Sequence, residues 1–265
     1  MTGTGLAIPH PLWASMHKAL LLLLISALPL TALAQREVVV WTYHQIPPFI
    51  LDETDPAGLS FDLVALLNQH AQNRSRFHFR LVYLPRKRLD MHLQRRSAGV
   101  VLWVNPMFFD NLQSQDYQWT PALLHDQQEF VSRSERPFDY SGPESLHGRI
   151  LGGVLGHRYA GIQAHIDQGL IQREDVLIEE QNLNKLLSRR LDVILMPRST
   201  ARFYGLRRDL GDQLHFSATP LSRYSRQLLL QPSLAPEVRA FIQEVVAALP
   251  QNPDWQALLK SYGLD

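Results

Sequence analysis

The chain has 265 residues, 45% of them hydrophobic, with 26 basic and 25 acidic side chains and a formal net charge of +1. That length buries a full core in one or two domains, and the near-neutral balance carries no basic field, so no nucleic-acid partner is expected. There is no cysteine, which excludes disulfides, thiolate zinc ligands, thiol catalysis and a lipid-modified cysteine at the N-terminus.

Residues 1–15 have no periodicity, and Met16 reads as a second start. Lys18, the apolar run Ala19 to Leu30 and the small-x-small triplet Ala32-Leu33-Ala34 have the order of a secretory signal. The run is too short to span a bilayer as a folded anchor. Cleavage is expected after Ala34, which leaves 265 − 34 = 231 residues for export to the periplasm.

The stretch Val38-Val39-Val40-Trp41-Thr42-Tyr43-His44-Gln45-Ile46-Pro47-Pro48-Phe49 begins as a buried strand and is stopped by its Pro-Pro pair. In an open α/β sheet ligands gather beyond the carboxyl ends of strands. Tyr43, His44 and Phe49 are therefore candidates for the mouth of a cleft. A helix capped by Ser60 is expected through Leu63, Val64 and Leu67, then an alternating strand from Phe77 to Tyr83. A short helix through Leu89 and Leu93 follows, closed by Arg95 and Arg96, and Val100 to Val104 is the next strand. This β-α-β-α-β order implies a parallel sheet.

The second half repeats the theme. Arg149 to Leu155 reads as a strand and Gly156 as the opening of a helix holding Tyr159, Ile162 and Ile166. Val176 to Ile178 reads as a short strand, followed by a helix with Leu183, Leu186 and Leu187 and a strand from Leu191 to Met196. Leu93 to Arg96 before Val100 to Trp103 echoes Leu187 to Arg190 before Val193 to Met196, each as helix, double Arg, strand, Pro. Two terminal helices carry Val238, Phe241, Ile242, Val245 and Val246, then Trp255, Leu258, Leu259 and Tyr262.

An ordered series of short motifs runs through nearly the whole mature chain. It comprises Pro47-Pro48-Phe49, Gly58 before Phe61-Asp62-Leu63, Leu84-Pro85-Arg86-Lys87-Arg88-Leu89 and Trp119-Thr120-Pro121. It continues with Gly148-Arg149-Ile150-Leu151-Gly152, Gly156-His157-Arg158-Tyr159 and Arg190-Leu191-Asp192-Val193. In these the chain resembles the type II periplasmic solute-binding proteins of extracellular solute-binding family 3, the polar amino-acid-binding kind. The resemblance implies two α/β lobes, each a mostly parallel sheet flanked by helices, joined by crossing strands near Gln128 to Ser132 and Arg226 to Leu230. Lobe 1 would hold residues 35–130 and 223–265, and lobe 2 residues 131–222. Solute would bind between them and close the hinge.

Two departures bear on the ligand. Family members binding amino acids carry an Arg after the third strand for the α-carboxylate, where this chain has Asn105-Pro106-Met107-Phe108-Phe109-Asp110. They carry an Asp after the strand ending at Met196 for the α-amine, where this chain has Pro197 and Arg198. Tight binding of ordinary free α-amino acids is therefore not expected, because an unpaired buried charge is costly.

The candidate solute contacts are Tyr43, His44, Phe49, Arg86, Trp103, Asn105, Gly156, His157, Arg158, Tyr159 and Arg198. Gly156 to Tyr159 at a helix start, with His157 and Arg158, would suit an anion; a solvated helix start is the alternative. Arg86 falls where the family often stacks a residue on the ligand, and Trp103 serves either as wall or as core. No catalytic set, metal site or cofactor is indicated, and the eleven His residues read as surface groups. The expected protein is a monomer that captures a small polar or anionic solute for the permease of an ABC importer. A sensor subunit for a membrane signalling protein and, less favoured, a periplasmic enzyme on the same scaffold are the alternatives.

Overall fold

The computed structural model describes residues 1, 3, 35–52, 56–109 and 116–265; the export signal lies outside them. The described strands and helices belong to the unit Arg36–Asp265. Strand β1 (Arg36–Thr42) lies between β2 (Phe77–Tyr83) and β3 (Val100–Val104), parallel to both. Helices α1 (Leu59–Gln69) and α2 (Arg86–Gln94) make the crossovers. All five residues of β3 are buried, as a strand covered on both faces requires. The second parallel group sets β6 (Ile150–Val154) between β7 (Gln172–Val176) and β8 (Val193–Pro197). Helices α3 (Gln163–Asp167) and α4 (Glu179–Leu187) connect them.

Two long strands join the groups. β5 (Leu124–Arg133) and β10 (Ser222–Leu230) pair antiparallel with each other, β10 also pairs β3, and β5 also pairs β8. The strand order is β2-β1-β3-β10-β5-β8-β6-β7, with β4 (Gln118–Trp119) on β10 and β9 (Leu214–Phe216) on β5. α5 (Arg198–Arg207) leaves β8, while α6 (Pro236–Ala248) and α7 (Pro253–Ser261) return to the first group. There Phe241 of α6 stacks on Phe79 with ring centroids 5.8 Å apart.

Local chemistry explains where the elements depart from the sequence pattern. α1 starts at Leu59, so Ser60 lies inside the helix rather than capping it. Its hydroxyl accepts from the indole N–H of Trp103 at 2.8 Å. Gly58, at φ 125°, precedes the helix because a Cβ there would lie 2.7 Å from the Phe49 carbonyl. Residues 156–162 form turns instead of the expected helix, which begins only at Gln163. Gly156 (φ 82°) and Gly161 (φ 90°) both take left-handed conformations, and the Tyr159 hydroxyl accepts the Val154 N–H at 3.0 Å. β7 starts at Gln172, ahead of the apolar run Val176 to Ile178, and ends where that run begins; it pairs as an edge strand of mostly polar residues.

Candidate ligand cleft at the crossing strands

The crossing strands place a buried ion pair at the centre of the molecule. Arg226 Nε donates to Asp126 Oδ2 at 2.7 Å, with side chains 2% and 1% exposed. The register puts Tyr224 opposite Asp126 and Arg226 opposite Leu124, so all four share one face of the ribbon. Asp126 is saturated. Oδ1 accepts the N–H groups of Gln127 (2.9 Å) and Ser199 (3.1 Å), and Oδ2 also accepts the Ser199 hydroxyl at 2.8 Å. The first turn of α5 is thereby fastened to the ribbon. Its next residue, Thr200, donates from Oγ1 to the Pro47 carbonyl at 2.7 Å, which ties α5 to the loop after β1.

Arg226 also packs against the loop after β1 and the end of β3. Its guanidinium lies 4.4 Å from the Phe49 ring centroid and 5.3 Å from that of Tyr224. Its terminal nitrogens donate to the Trp103 carbonyl and the Tyr224 hydroxyl, both at 3.3 Å. Trp103 offers that carbonyl through a bulge. Gln227 pairs with Val104 and Leu229 with Val101, so β3 spends three steps against two on β10. Trp103 takes the extra step in the left-handed region, at φ 63°.

His44 stands beside Arg226. It is partly buried, and its Nε2 is enclosed without a partner among the described residues. Burial, and then the Arg226 charge, hold its pKa well below the ordinary value, so the ring is neutral. Tyr43 is raised by burial against the opposing pull of Arg86 and Arg226. Glu179, the first residue of α4 and 5% exposed, is raised by burial, opposed by a bond to its own backbone N–H and by Arg226.

The residues singled out in the sequence divide into groups. Tyr43, His44, Phe49 and Trp103 gather around Arg226, but Phe49 and Trp103 are fully buried, with ring centroids 5.0 Å apart. Arg86 lies behind Tyr43. It pairs with Asp90 at 2.9 Å, donates to the Phe108 carbonyl at 2.8 Å and lies 4.4 Å from the Phe109 ring. Asn105 spends its amide on Ser225 and its oxygen on the Met107 N–H, pinning the end of β3 to β10. His157 is exposed; crowding and then Arg173 lower its pKa.

The other three candidates from residues 131–222, with Gly156, are placed differently. Arg158 is exposed and contacts Asp167 at 3.4 Å. Tyr159 is core, its hydroxyl pushed up to about 12 by burial. Since Gly156 to Tyr159 is a turn, the free N–H groups of a helix start are not found there; the His157 N–H donates to the Val154 carbonyl. Arg198 pairs with the wholly buried Glu129, whose Oε2 has no partner among the described residues. Asp126, Glu179, Tyr224 and Arg226 were not legible as a cluster. A signal was present, though, in Arg226, a charged residue in the expected crossing Arg226 to Leu230.

The class of fold follows from this arrangement: it is the two-lobed type II periplasmic-binding-protein fold, with two crossing strands behind a central cleft. Among solved structures, the chain resembles the GluR0 ligand-binding core from Nostoc punctiforme in complex with L-glutamate. That likeness has a TM-score of 0.62 and 16% identity and covers 85% of this chain and 98% of that one. It equally resembles a mutant of the arginine-binding protein ArgBP from T. maritima, at TM-score 0.62, 17% identity and coverage of 85% and 94%. The BvgS VFT2 domain of Bordetella pertussis follows, at 0.59, 14%, and coverage of 85% and 93%. No protein-family model matches the chain, and no curated protein matches it.

Proposed function

We propose that the chain is a binding protein, not an enzyme, that captures a small polar or anionic solute between residues 35–130 with 223–265 on one side and residues 131–222 on the other. The observation that carries this reading is the enclosed polar centre where the crossing strands meet. Arg226 and His44 Nε2 keep hydrogen-bonding capacity there that the described protein groups do not use. Buried polar groups ordinarily find partners, and unspent ones in a cleft are the mark of a ligand site. The fold and the expected export signal support the role of a monomer delivering solute to the membrane permease of an importer. The likeness to the BvgS VFT2 domain supports a second reading, a periplasmic sensor whose lobes act on a membrane signalling protein.

The test is a thermal-shift screen of metabolites followed by small-angle scattering. A ligand that binds only the folded state raises the melting temperature, and a true solute is expected to shrink the radius of gyration. Stabilisation without compaction counts against hinge closure. Release of product from the bound solute would restore the enzyme reading.

A further inference from the structure

Two imidazoles meet on the surface beside β6. His147 Nε2 and His165 Nδ1 lie 3.1 Å apart, although the residues are 18 positions apart in the chain. Their ring centroids are 5.3 Å apart, so the rings meet nitrogen edge to nitrogen edge. Two nitrogens each about 2.0–2.1 Å from one ion stand about 2.8–3.4 Å apart, for angles from a right angle to the tetrahedral one. The observed gap falls inside that range.

The fold fixes this bite. His147 ends the 3₁₀ turn Pro143–Leu146 just before β6, and its N–H donates to the Glu144 carbonyl. His165 belongs to α3, and its carbonyl accepts the Leu170 and Ile171 N–H groups just before β7. The pair therefore stands at the amino ends of β6 and β7, the opposite end from Gly156 and His157. Leu146 and Ile162, each 0% exposed, anchor the two segments in one apolar cluster. Side chains three apart on a 3₁₀ turn eclipse, which sets Glu144 and His147 on one side, both beside His165. Glu144 Oε1 is 3.9 Å from His165 Nε2, the nitrogen turned away from His147. This is the order of a carboxylate behind a metal-ligating histidine, where the acid takes the outer N–H and the inner lone pair faces the ion.

We infer that His147 and His165 bind a divalent transition ion of the Cu2+, Ni2+ and Zn2+ class, with Glu144 as a positioning residue for His165. Without the ion a single proton lies between the two nitrogens. Whichever ring carries it, the ion displaces it to solvent, so ligation requires no particular tautomer. Among the described residues no group of three ligating side chains is assembled, so the remaining coordination positions belong to water. Imidazole donors suit these ions, whereas Mg2+ and Ca2+ take oxygen.

Titration of the untagged chain with Cu2+, followed by calorimetry and electron paramagnetic resonance, tests this. One ion bound at these rings is expected, with hyperfine coupling to two imidazole nitrogens. Zn2+ should bind more weakly than Cu2+, and Mg2+ should give no heat. His147→Ala and His165→Ala should each weaken Cu2+ binding by more than about tenfold and remove one nitrogen from the spectrum. Glu144→Gln should weaken it by about tenfold while both nitrogens stay, a split that misfolding does not produce. His78→Ala, which removes an exposed ring on β2, should change neither affinity nor spectrum. In the unaltered chain Zn2+ should move the imidazole NMR signals of His147 and His165 together, a readout that needs no variant. Unchanged Cu2+ affinity in His147→Ala or His165→Ala, a single-nitrogen spectrum, or an equal loss in His78→Ala would overturn the site. Unchanged affinity in Glu144→Gln would overturn the role of that carboxylate.

Discussion

At the scale of single residues, burial decides what each polar group near the cleft contributes. His44 has its pKa held well below the ordinary 6.5 by burial and by Arg226. As pH falls below 6.5 the unfolded chain takes up a proton that folded His44 refuses, so stability is lost from there down to the folded pKa and is unaffected above. Urea unfolding at pH 7.5 and 5 should give a smaller loss in His44→Phe than in the parent. His157, lowered by crowding and then by Arg173, contributes to the slope that remains. The Asp126–Arg226 pair, nearly without exposure, behaves differently from the surface pair Glu37–Arg80, whose side chains are half exposed. Asp126→Ala leaves a buried guanidinium unpaired and should cost about 3–5 kcal/mol. Glu37→Ala should cost less than about 1 kcal/mol. Equal losses in denaturant melts would contradict the burial argument.

At the scale of elements, the double-Arg echo is one residue out of step with the helix stops, which match Arg96 to Arg189. α2 and α4 end in the same way. The Ser97 N–H reaches the His92 carbonyl and the Arg96 N–H that of Leu93, just as the Arg190 N–H reaches Lys185 and the Arg189 N–H reaches Leu186. Arg96 and Arg189 are left-handed, at φ 50° and 64°. This is the two-bond helix stop that usually employs glycine. Arg96→Gly and Arg189→Gly are each expected to stabilise the protein by about 0.5 kcal/mol, relief of left-handed strain outweighing the added freedom of the unfolded chain. The same change at Arg190 should destabilise it. Strands with clear alternation or unbroken apolar runs, such as β2, β3 and β8, were legible because burial alone dictates their pattern. The stretch from Gly156 was not, because Tyr159, Ile162 and Ile166 fit a helix face equally well, and only Gly161 warned against one. The cleft centre was hidden for another reason: Asp126 and Arg226 stand 100 residues apart and meet only through the register of β5 with β10.

At the scale of the molecule, the two parallel groups are joined by strands that belong to both. β10 pairs with β3 at its end and β5 at its start, while β5 continues onto β8. Bending must therefore concentrate in that ribbon, and the polar links beside it set how far the halves stay together. Thr200 to Pro47 is such a link, joining the helix after β8 to the loop after β1. Thr200→Val keeps the shape and removes the donor. It is expected to enlarge the ligand-free radius of gyration and to weaken solute binding by up to about tenfold. An unchanged scattering curve would show that the link does not hold the lobes.

The bulge at Trp103 carries a consequence for how such a site drifts over generations. The group it turns toward Arg226 is a carbonyl, which no codon specifies and no side-chain replacement deletes. Substitutions at 103 alter the packing behind the cleft while the oxygen in front persists, as long as the extra step in β3 is kept. Selection can therefore rework the walls around this acceptor independently of the acceptor itself. Deleting one residue from 102–103 would do what no replacement can: it would restore even pairing with β10 and take the oxygen away.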